Sequence, residues 1–457
     1  MIEGLKPYAE YKDSGLPWLD TVPKHWDMAP NRALMRDQRQ VVGARASDYT
    51  LLSLTLRGVI ARDMVNPKGK FPAQFNTYKV VKPDDFVFCL FDIDETPRGV
   101  GLSPLKGMIT GAYDIFSPTP RINPRFLYHY YLFVDEGKLM KPLYTGLRKT
   151  IQRGVFASLK APLPPPDEQA AIVRFLDHAN RKIDGFIRAK RKLIGLLNEQ
   201  KQAIIHRAVT RGLHPDVPLK PSGIPWLGDI PKHWEVRRMK SLSLVKRGAS
   251  PRPIGNPRYF DDDGEYAWVR ISDVTASAKY LEKTTERLSS LGKSFSVPLE
   301  PGAFFLSIAG SVGKPIITRI KCCIHDGFVY FPRFKGNPEF LFYVLSSGRV
   351  YDGLGKFGTQ LNLNTDTVGN IRVPWPTLKE QAEIAKFLDS DLSQYATAIA
   401  RTEREIALMQ EYRTRLTADL VTGKLDVREA AAHLPAPPAE PSPDEPLEEL
   451  ETEEDTE

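Results

Sequence analysis

The sequence predicts an α+β chain: two mixed α/β domains and two long, antiparallel, coiled-coil-like helices, arranged as a pseudo-two-fold internal repeat. Three observations lead there. Residues 14–26 (SGLPWLDTVPKHW) and 222–234 (SGIPWLGDIPKHW) agree at nine of thirteen positions, 208 residues apart. Residues 168–177 (EQAAIVRFLD) and 380–389 (EQAEIAKFLD) agree at seven of ten, 212 apart. The stretches between them, 27–160 and 235–372, are similar in length and unlike in sequence. A duplicated frame around two divergent inserts implies one architecture doing the same task on two targets. The expected order is domain one (1–160), a helical region (161–213), domain two (214–372), a second helical region (373–428) and a tail (429–457).

At 457 residues the chain is too long for a single core. Its 42% hydrophobic and 26% charged residues suit a globular, cytoplasmic protein. No apolar run approaches the roughly 18–20 residues that span a membrane, and the N-terminus has no signal-peptide core. Cys89, Cys322 and Cys323 form neither a disulfide framework nor a zinc spacing, so free thiols in a reducing compartment are expected. The net charge of +7 conceals an asymmetry. Eleven acidic and no basic residues follow Arg428, leaving 63 Lys and Arg against 45 acidic residues, or +18, on residues 1–428. A body that basic attracts a polyanion. The tail 429–457 is rich in Ala, Pro and Glu, cannot bury enough apolar surface to offset ordering entropy, and is expected to be disordered.

Each module opens on Pro-Lys-His-Trp. Proline restricts the backbone, and tryptophan anchors it, so Trp18, Trp26, Trp226 and Trp234 are expected to pack. His25 and His233 have no partner at metal-ligand spacing and are read as structural. Within the inserts, Phe86–Phe91, Tyr266–Ile271 and Ala303–Ile308 are short, aromatic and β-rich, punctuated by Gly and Pro. Helical runs are expected at Pro124–Phe133 and Pro338–Ser346. A proline cluster then precedes each long helix. Asp167 is the expected N-cap of the first; Thr377 with Glu380 forms a capping-box pattern for the second. Gly212 and Gly423 are the expected stops.

Apolar residues on both helices recur at alternating spacings of three and four. Ile183, Ile187, Ile194, Leu197 and Ile204 align with Tyr395, Ile399, Ile406, Met409 and Leu416, a shared coiled-coil-like seam for helix pairing and partner docking. Lys190 and Lys201 interrupt the first stripe, Thr402 and Arg413 the second, so the pairing is expected to be imperfect. Residues 168–211 carry ten basic and four acidic residues, and 380–424 six basic and eight acidic. That difference favours pairing with each other over self-pairing. About 42 helical residues extend roughly 60 Å, less if either helix breaks near Asp177 or Asp389.

Catalytic patterns fail. Gly310-Ser311-Val312-Gly313-Lys314 is not a nucleotide loop: Ile308 falls where the first glycine belongs, and Pro315 replaces the magnesium-holding Ser or Thr. Asn256-Pro257-Arg258-Tyr259 departs from the Asn-Pro-Pro-Tyr motif of amino-methyltransferases at Arg258, with no glycine-rich methyl-donor turn upstream. Asp84, Glu136 and Lys138 carry the letters of a metal-dependent nuclease site at too wide a spacing. No catalytic residue, metal site or bound cofactor is expected, which leaves binding. Lys and Arg supply phosphate contacts, while Arg, Lys, Asn, Gln and Ser read base edges. The candidates are Arg57, Arg148, Lys149 and Gln152 in insert one. In insert two they are Arg270, Ser272, Ser311, Lys314, Thr359, Gln360 and Asn362.

The duplicated openings, the proline-led EQxxIxxFLD segments and the order insert–helix–insert–helix make residues 8–428 resemble the specificity subunit of a type I restriction–modification system. The resemblance implies two target recognition domains, each reading half of a split double-stranded DNA site. It also implies helices that separate the domains and dock two methyltransferase (modification) subunits, with restriction/translocase subunits in the full complex. S-adenosylmethionine, ATP and magnesium would then belong to those partners, and adenine methylation to the modification subunit. The acidic tail lies outside the family pattern. Two rivals stand beside this reading: an adaptor binding proteins along a helical spacer, and a stand-alone DNA-modifying enzyme. Salt-dependent, sequence-specific DNA binding would separate the first, and methyl-donor binding by the isolated chain the second.

Overall fold

A computed structural model describes residues 5–64, 74–93, 95–146, 149–354 and 363–435. Contacts divide the chain into two units, 1–189 with 404–457, and 190–403. This partition differs from the expected order of domains: neither long helix is a domain of its own. The first runs unbroken over Pro166–Arg211 and the second over Leu378–Val421, and each passes from one unit into the other. Neither breaks at Asp177 or Asp389. Among the described residues no helix is long and apolar enough to cross a membrane.

In the first unit, a hairpin of Tyr11–Leu16 and Leu19–Pro23 carries the opening motif. The chain then enters the insert through Asp27–Pro30 and leaves through Lys160–Leu163, and these two strands pair antiparallel. The insert's main sheet has the order Met35–Gln38, Asp114–Pro118, Phe86–Phe88, Val100–Leu102, all antiparallel. Helix Pro124–Glu136 packs beside it, capped by Asn123, whose side chain accepts from the backbone amides of Arg125 and Phe126. Its buried face meets an aromatic cluster in which Phe88 lies 5.0 Å from Tyr131 and 4.8 Å from Phe156 between ring centres. The same core takes in Ile172, Leu176 and Ala179 from the start of the first long helix and Leu416 and Leu420 from the end of the second. Opposite ends meeting in one core make the pair antiparallel here.

The second unit repeats the frame. A hairpin of Leu219–Pro221 and Asp229–Pro231 precedes Glu235–Arg238, which pairs with Arg372–Trp375 to close the insert at its neck. Inside, the strand order is different. One sheet runs Lys246–Arg247, Phe328–Tyr330, Phe304–Ser307, Pro315–Thr318, Tyr280–Leu281; the other runs Glu286–Leu288, Tyr266–Val269, Cys322–Ile324, Val297–Leu299. Each contains one parallel pair. Helix Pro338–Ser346 is again capped by an asparagine, Asn337. Ile205, Ala208 and Val209 share the core with Ile384, Ala385, Leu388 and Leu392, antiparallel as in the first unit.

Several boundaries shift for identifiable reasons. The strand expected to reach Ile271 ends at Val269, because the Asp273 carboxylate accepts from the Arg270 backbone amide and starts the helix Ile271–Ala276. Asp167 does not cap the first long helix. That helix opens on Pro166, where no amide is lost, with the Glu168 and Gln169 amides donating to Pro165 O. Asp167 and Glu168 lie in its first turn, where acidic groups favour the helix dipole. In the second helix the capping box forms as expected, with the Thr377 amide donating to Glu380 Oε2 and the Glu380 amide to Thr377 Oγ1. Gly212 and Gly423 stop the helices at φ +72° and +74°. The stretch read as the beginning of the tail is folded. Residues 428–432 form a short helix, Ala431 is buried, and Arg174 Nη2 donates to Leu434 O.

Ile183, Ile187 and Leu416 are buried; Ile194, Leu197, Ile204, Tyr395, Ile399, Ile406 and Met409 are half-buried. The polar positions of the two stripes are sheltered as well. Thr402 is buried with its hydroxyl on Ala398 O, Arg413 ion-pairs Asp184, and Lys190 and Lys201 are half-buried. The three cysteines are buried and unpaired. Burial pushes the Cys322 thiol up to about 11 and Cys323 to about 12.

Candidate nucleic-acid interface

The frame mounts each insert by the same polar contact. Trp26 and Trp234 are almost fully buried. The Trp26 indole Nε1 donates to Glu168 Oε1 at 2.8 Å, and His25 Nε2 lies 2.8 Å from Glu168 Oε2. In the second copy, Trp234 Nε1 donates to Glu380 Oε1 at 3.2 Å, and His233 Nε2 lies 2.7 Å from the same oxygen. The opening motif therefore grips the first glutamate of the long helix. Desolvation would raise the Glu380 carboxyl, but hydrogen bonds from His233, Trp234 and Thr377 hold it down at about 2. In copy one Tyr8 adds its hydroxyl to Glu168 Oε1. Burial, with Glu168 beside it, pushes the Tyr8 phenol well up.

The glutamine that follows ties in the insert. Gln169 Nε2 donates to Pro164 O, and its Oε1 accepts the Asn123 amide at 2.6 Å. Gln381 makes the matching bonds to Pro376 O and the Asn337 amide, at 3.0 and 2.8 Å. A third tie uses the aspartate eight residues after that glutamine. Arg125 forks onto Asp177 at 2.7 and 2.6 Å; in copy two Lys279 and the Tyr343 hydroxyl reach Asp389 at 2.6 and 2.5 Å. The helix-stop glycines close the mount. A Cβ on Gly423 would stand 2.2 Å from Pro23 Cδ, and one on Gly212 3.2 Å from the Trp234 ring. Sequence reading treated the two histidines as structural but missed their partners; their 212- and 208-residue repeat offsets were the available signal.

The inserts carry the candidate contact residues. In insert one, Arg57 is exposed on the turn between Leu52–Thr55 and Gly58–Ala61. Lys149 lies on another segment, its Nζ 2.9 Å from Glu95, and Gln152 is exposed just before helix Arg153–Ser158. Arg148 lies outside the described residues, as do Thr359, Gln360 and Asn362 of insert two. The other four candidates of insert two come together around the short helix Ile271–Ala276. Arg270 precedes it and forks onto Glu286 through Nε and Nη2, both at 2.7 Å. Ser272 is exposed in its first turn. On its far side, Ser311 Oγ lies 2.6 Å from Thr275 Oγ1, and Lys314 Nζ donates to Thr275 O at 2.8 Å. Lys314 is half-buried, and desolvation lowers its pKa. The turn thus anchors its lysine to backbone. Around the same helix stand three groups that sequence reading passed over: Arg252, His325 and Asp326.

Residues 231–407 match the family model for the type I restriction modification DNA specificity domain. By this match and by its relatives, the chain resembles the specificity subunits of type I restriction–modification systems. The MjaVIII type I restriction enzyme specificity subunit of Methanocaldococcus jannaschii is 26% identical over 296 residues, which cover 61% of this chain and 65% of that protein. The MjaIX specificity subunit of the same organism is 24% identical over 173 residues, 35% of this chain and 38% of that one. The chain thus matches less than two thirds of the length of these relatives. A solved structure concerned with complex assembly and conformational transition of the type I R-M system aligns over 88% of this chain and 98% of its own, with TM-score 0.63 and 17% identity. That likeness is one of fold. Within this chain the two mounts are equivalent, while the inserts they hold are not.

Proposed function

We propose that this chain is the non-catalytic DNA-specificity subunit of a type I complex acting in the cytoplasm. Insert one reads one half of a bipartite, asymmetric double-stranded site, and insert two reads the other. The long helices hold the readers apart and dock two modification subunits, with restriction subunits joining the full assembly. Methyl transfer from S-adenosylmethionine and ATP- and magnesium-dependent translocation and cleavage belong to those partners. The observation that supports this reading best is the duplicated mount. His25, Trp26 and Glu168 are repeated as His233, Trp234 and Glu380, while the sheets they hold differ in strand order. Equivalent mounts give each insert the same pose on its own helix, as the two halves of a dimeric reader have on their half-sites. Unlike inserts give unlike half-sites.

In this reading Arg57, Lys149 and Gln152 face DNA from insert one, and Arg270, Ser272, Ser311 and Lys314 from insert two, beside Arg148, Thr359, Gln360 and Asn362. The test is to co-express the chain with its modification subunit and map methylated adenines by long-read sequencing. Two unlike half-sites with a fixed number of unread base pairs between them are expected. A contiguous motif, or no motif, would refute the proposal.

A further inference from the structure

A cleft of about 470 Å³ opens in insert two beside the turn at His325 and Asp326, with Ser250, Arg252, Trp268 and Ser272 among its walls. Its groups are held in place with unusual completeness. Asp326 Oδ1 accepts the Ser250 hydroxyl at 2.8 Å, Oδ2 accepts Arg252 Nη2 at 3.0 Å, and its backbone carbonyl accepts Arg247 Nε. The Ser250 hydroxyl, with Arg252 and Arg247 nearby, holds the Asp326 carboxyl below the usual carboxylate range, so it is ionised. The Arg252 side chain is 70% exposed. Among the described residues its guanidinium bonds only Asp326, and only through Nη2, which leaves the Nε and Nη1 donors of the planar fork for another partner.

His325 also lines the cleft. Its Nδ1 accepts the Gly327 amide at 2.8 Å, so in the neutral ring Nε2 carries the hydrogen. Burial lowers its pKa, and the ring packs against Trp268 and Phe328 at 5.8 and 4.5 Å. The cleft is therefore lined by a charged fork, a neutral histidine and the exposed Ser272.

The charge balance decides what such a cleft suits. A phosphate is held by cations whose charge is not already compensated. Here Arg252 is paired with Asp326, and the adjoining Arg270 is forked onto Glu286. The carboxylate beside Arg252 weakens it as a point charge but tethers one corner of its fork and leaves its other donors for acceptors. A planar fork matches paired acceptors such as the O6 and N7 of guanine in the major groove.

We infer that this cleft reads base edges within the half-site of insert two, with Arg252 as its specificity-determining residue and a guanine edge as its target. The inference rests on the specificity-subunit reading above. Asp326 is the positioning residue behind Arg252, and Ser250 and Arg247 position Asp326.

The test uses the full chain co-expressed with its modification subunit, as wild type, Arg252→Ala and Arg252→Lys. Methylated adenines mapped by long-read sequencing give each motif. Binding of the assembled complexes to cognate and single-mismatch duplexes at several salt concentrations gives discrimination and salt slope. One G·C pair in one half-site should become degenerate in both variants, because lysine keeps the charge and loses the fork. Discrimination there should fall roughly 5- to 150-fold. The other half-site, read by insert one, should persist and reports intact assembly; if Arg252→Ala fails to assemble, Arg252→Lys carries the test. An unchanged motif overturns the inference. Uniform weakening with intact discrimination and a salt slope flattened by about one also overturns it, because Arg252 would then be a phosphate contact. A wild-type complex that methylates no defined motif overturns the specificity-subunit reading itself, and this inference with it.

Discussion

His25 Nε2 and Glu168 Oε2 lie 2.8 Å apart across 143 residues of sequence, and His233 meets Glu380 at 2.7 Å across 147. The two motifs that repeat along this chain are thus the two sides of one contact, made twice. The copies differ in depth. The Glu168 side chain is 1% exposed and that of Glu380 28%. Only copy one adds Tyr8, over whose ring Arg428 stands at 5.4 Å.

That difference orders two substitutions. Glu168→Ala strips the acceptor from the buried Trp26 indole and the Tyr8 hydroxyl, and should cost about 3 kcal/mol. Glu380→Ala should cost about 1 kcal/mol, since water can replace part of the loss. Urea unfolding of both variants checks the order; an equal or reversed pair would contradict it.

The Glu380 mount should also weaken in acid. Its carboxyl lies at about 2 in the folded chain, below the ordinary glutamate value of 4.5. A depressed folded value stabilises above the unfolded value, and the benefit is lost as the proton binds. The contribution is therefore full above about pH 4.5 and declines as the pH falls toward 2. Glu380→Gln should flatten the dependence of the thermal midpoint on pH in that window. An identical slope in the variant would show that Glu380 does not carry it.

Burial ranks the seam residues. Ile187 is 7% exposed, whereas Ile194, Leu197, Ile406 and Met409 are half-buried. Ile187→Asp places an unpaired charge in the core and should cost several kcal/mol. Replacing Ile194 and Leu197, or Ile406 and Met409, with Asp should cost less per site but disrupt docking of the modification subunit. Circular-dichroism melting tests the first claim. Size exclusion with light scattering tests the second, and a normal complex from the double variants would argue against helix docking.

If the helices set half-site spacing, a matched insertion should change it. Four residues added after Ala189 and four after Glu403 lengthen each helix by about 6 Å, or roughly two base pairs at 3.4 Å each. Methylation mapping should show the same two half-sites with a longer unread spacer. Altered half-site bases at the original spacing would show that the helices are not the ruler.

Exchanging residues 235–372 for the matching insert of a related subunit should change one half-site only. The new insert closes at the neck when its own ends form the pairing that Glu235–Arg238 makes here with Arg372–Trp375. A motif in which both halves change would show that the inserts do not read independently.

Much of the frame was legible in the sequence because its signals are local. The three-and-four spacing of Ile183, Ile187, Ile194 and Leu197 follows from the helical turn, and the capping box of Thr377 and Glu380 spans one turn. Asp167 misled because proline at the first helical position removes the need for the side-chain cap that an aspartate would supply. The contact surface was only partly legible. Arg270, Ser272, Ser311 and Lys314 were selected for residue type, and the fold places them around one short helix. Arg252, His325 and Asp326 lack any pattern in sequence, since 74 residues separate Arg252 from its carboxylate.

By itself, the sequence determined the duplicated frame, the two long helices with their seam and glycine stops, and the resemblance to the specificity subunits. These depend on interactions within a few residues along the chain, which periodicity, proline and glycine record directly. Only the tertiary structure decided that Glu168 belongs to His25 and Trp26, that each long helix is shared between two units, and that Arg252 and Arg270 are already compensated by Asp326 and Glu286. Those choices follow from strand pairings such as Asp27–Pro30 with Lys160–Leu163, which bring distant residues within hydrogen-bonding reach. A polar group's partner is set by distance through space after packing, and no local pattern encodes that distance.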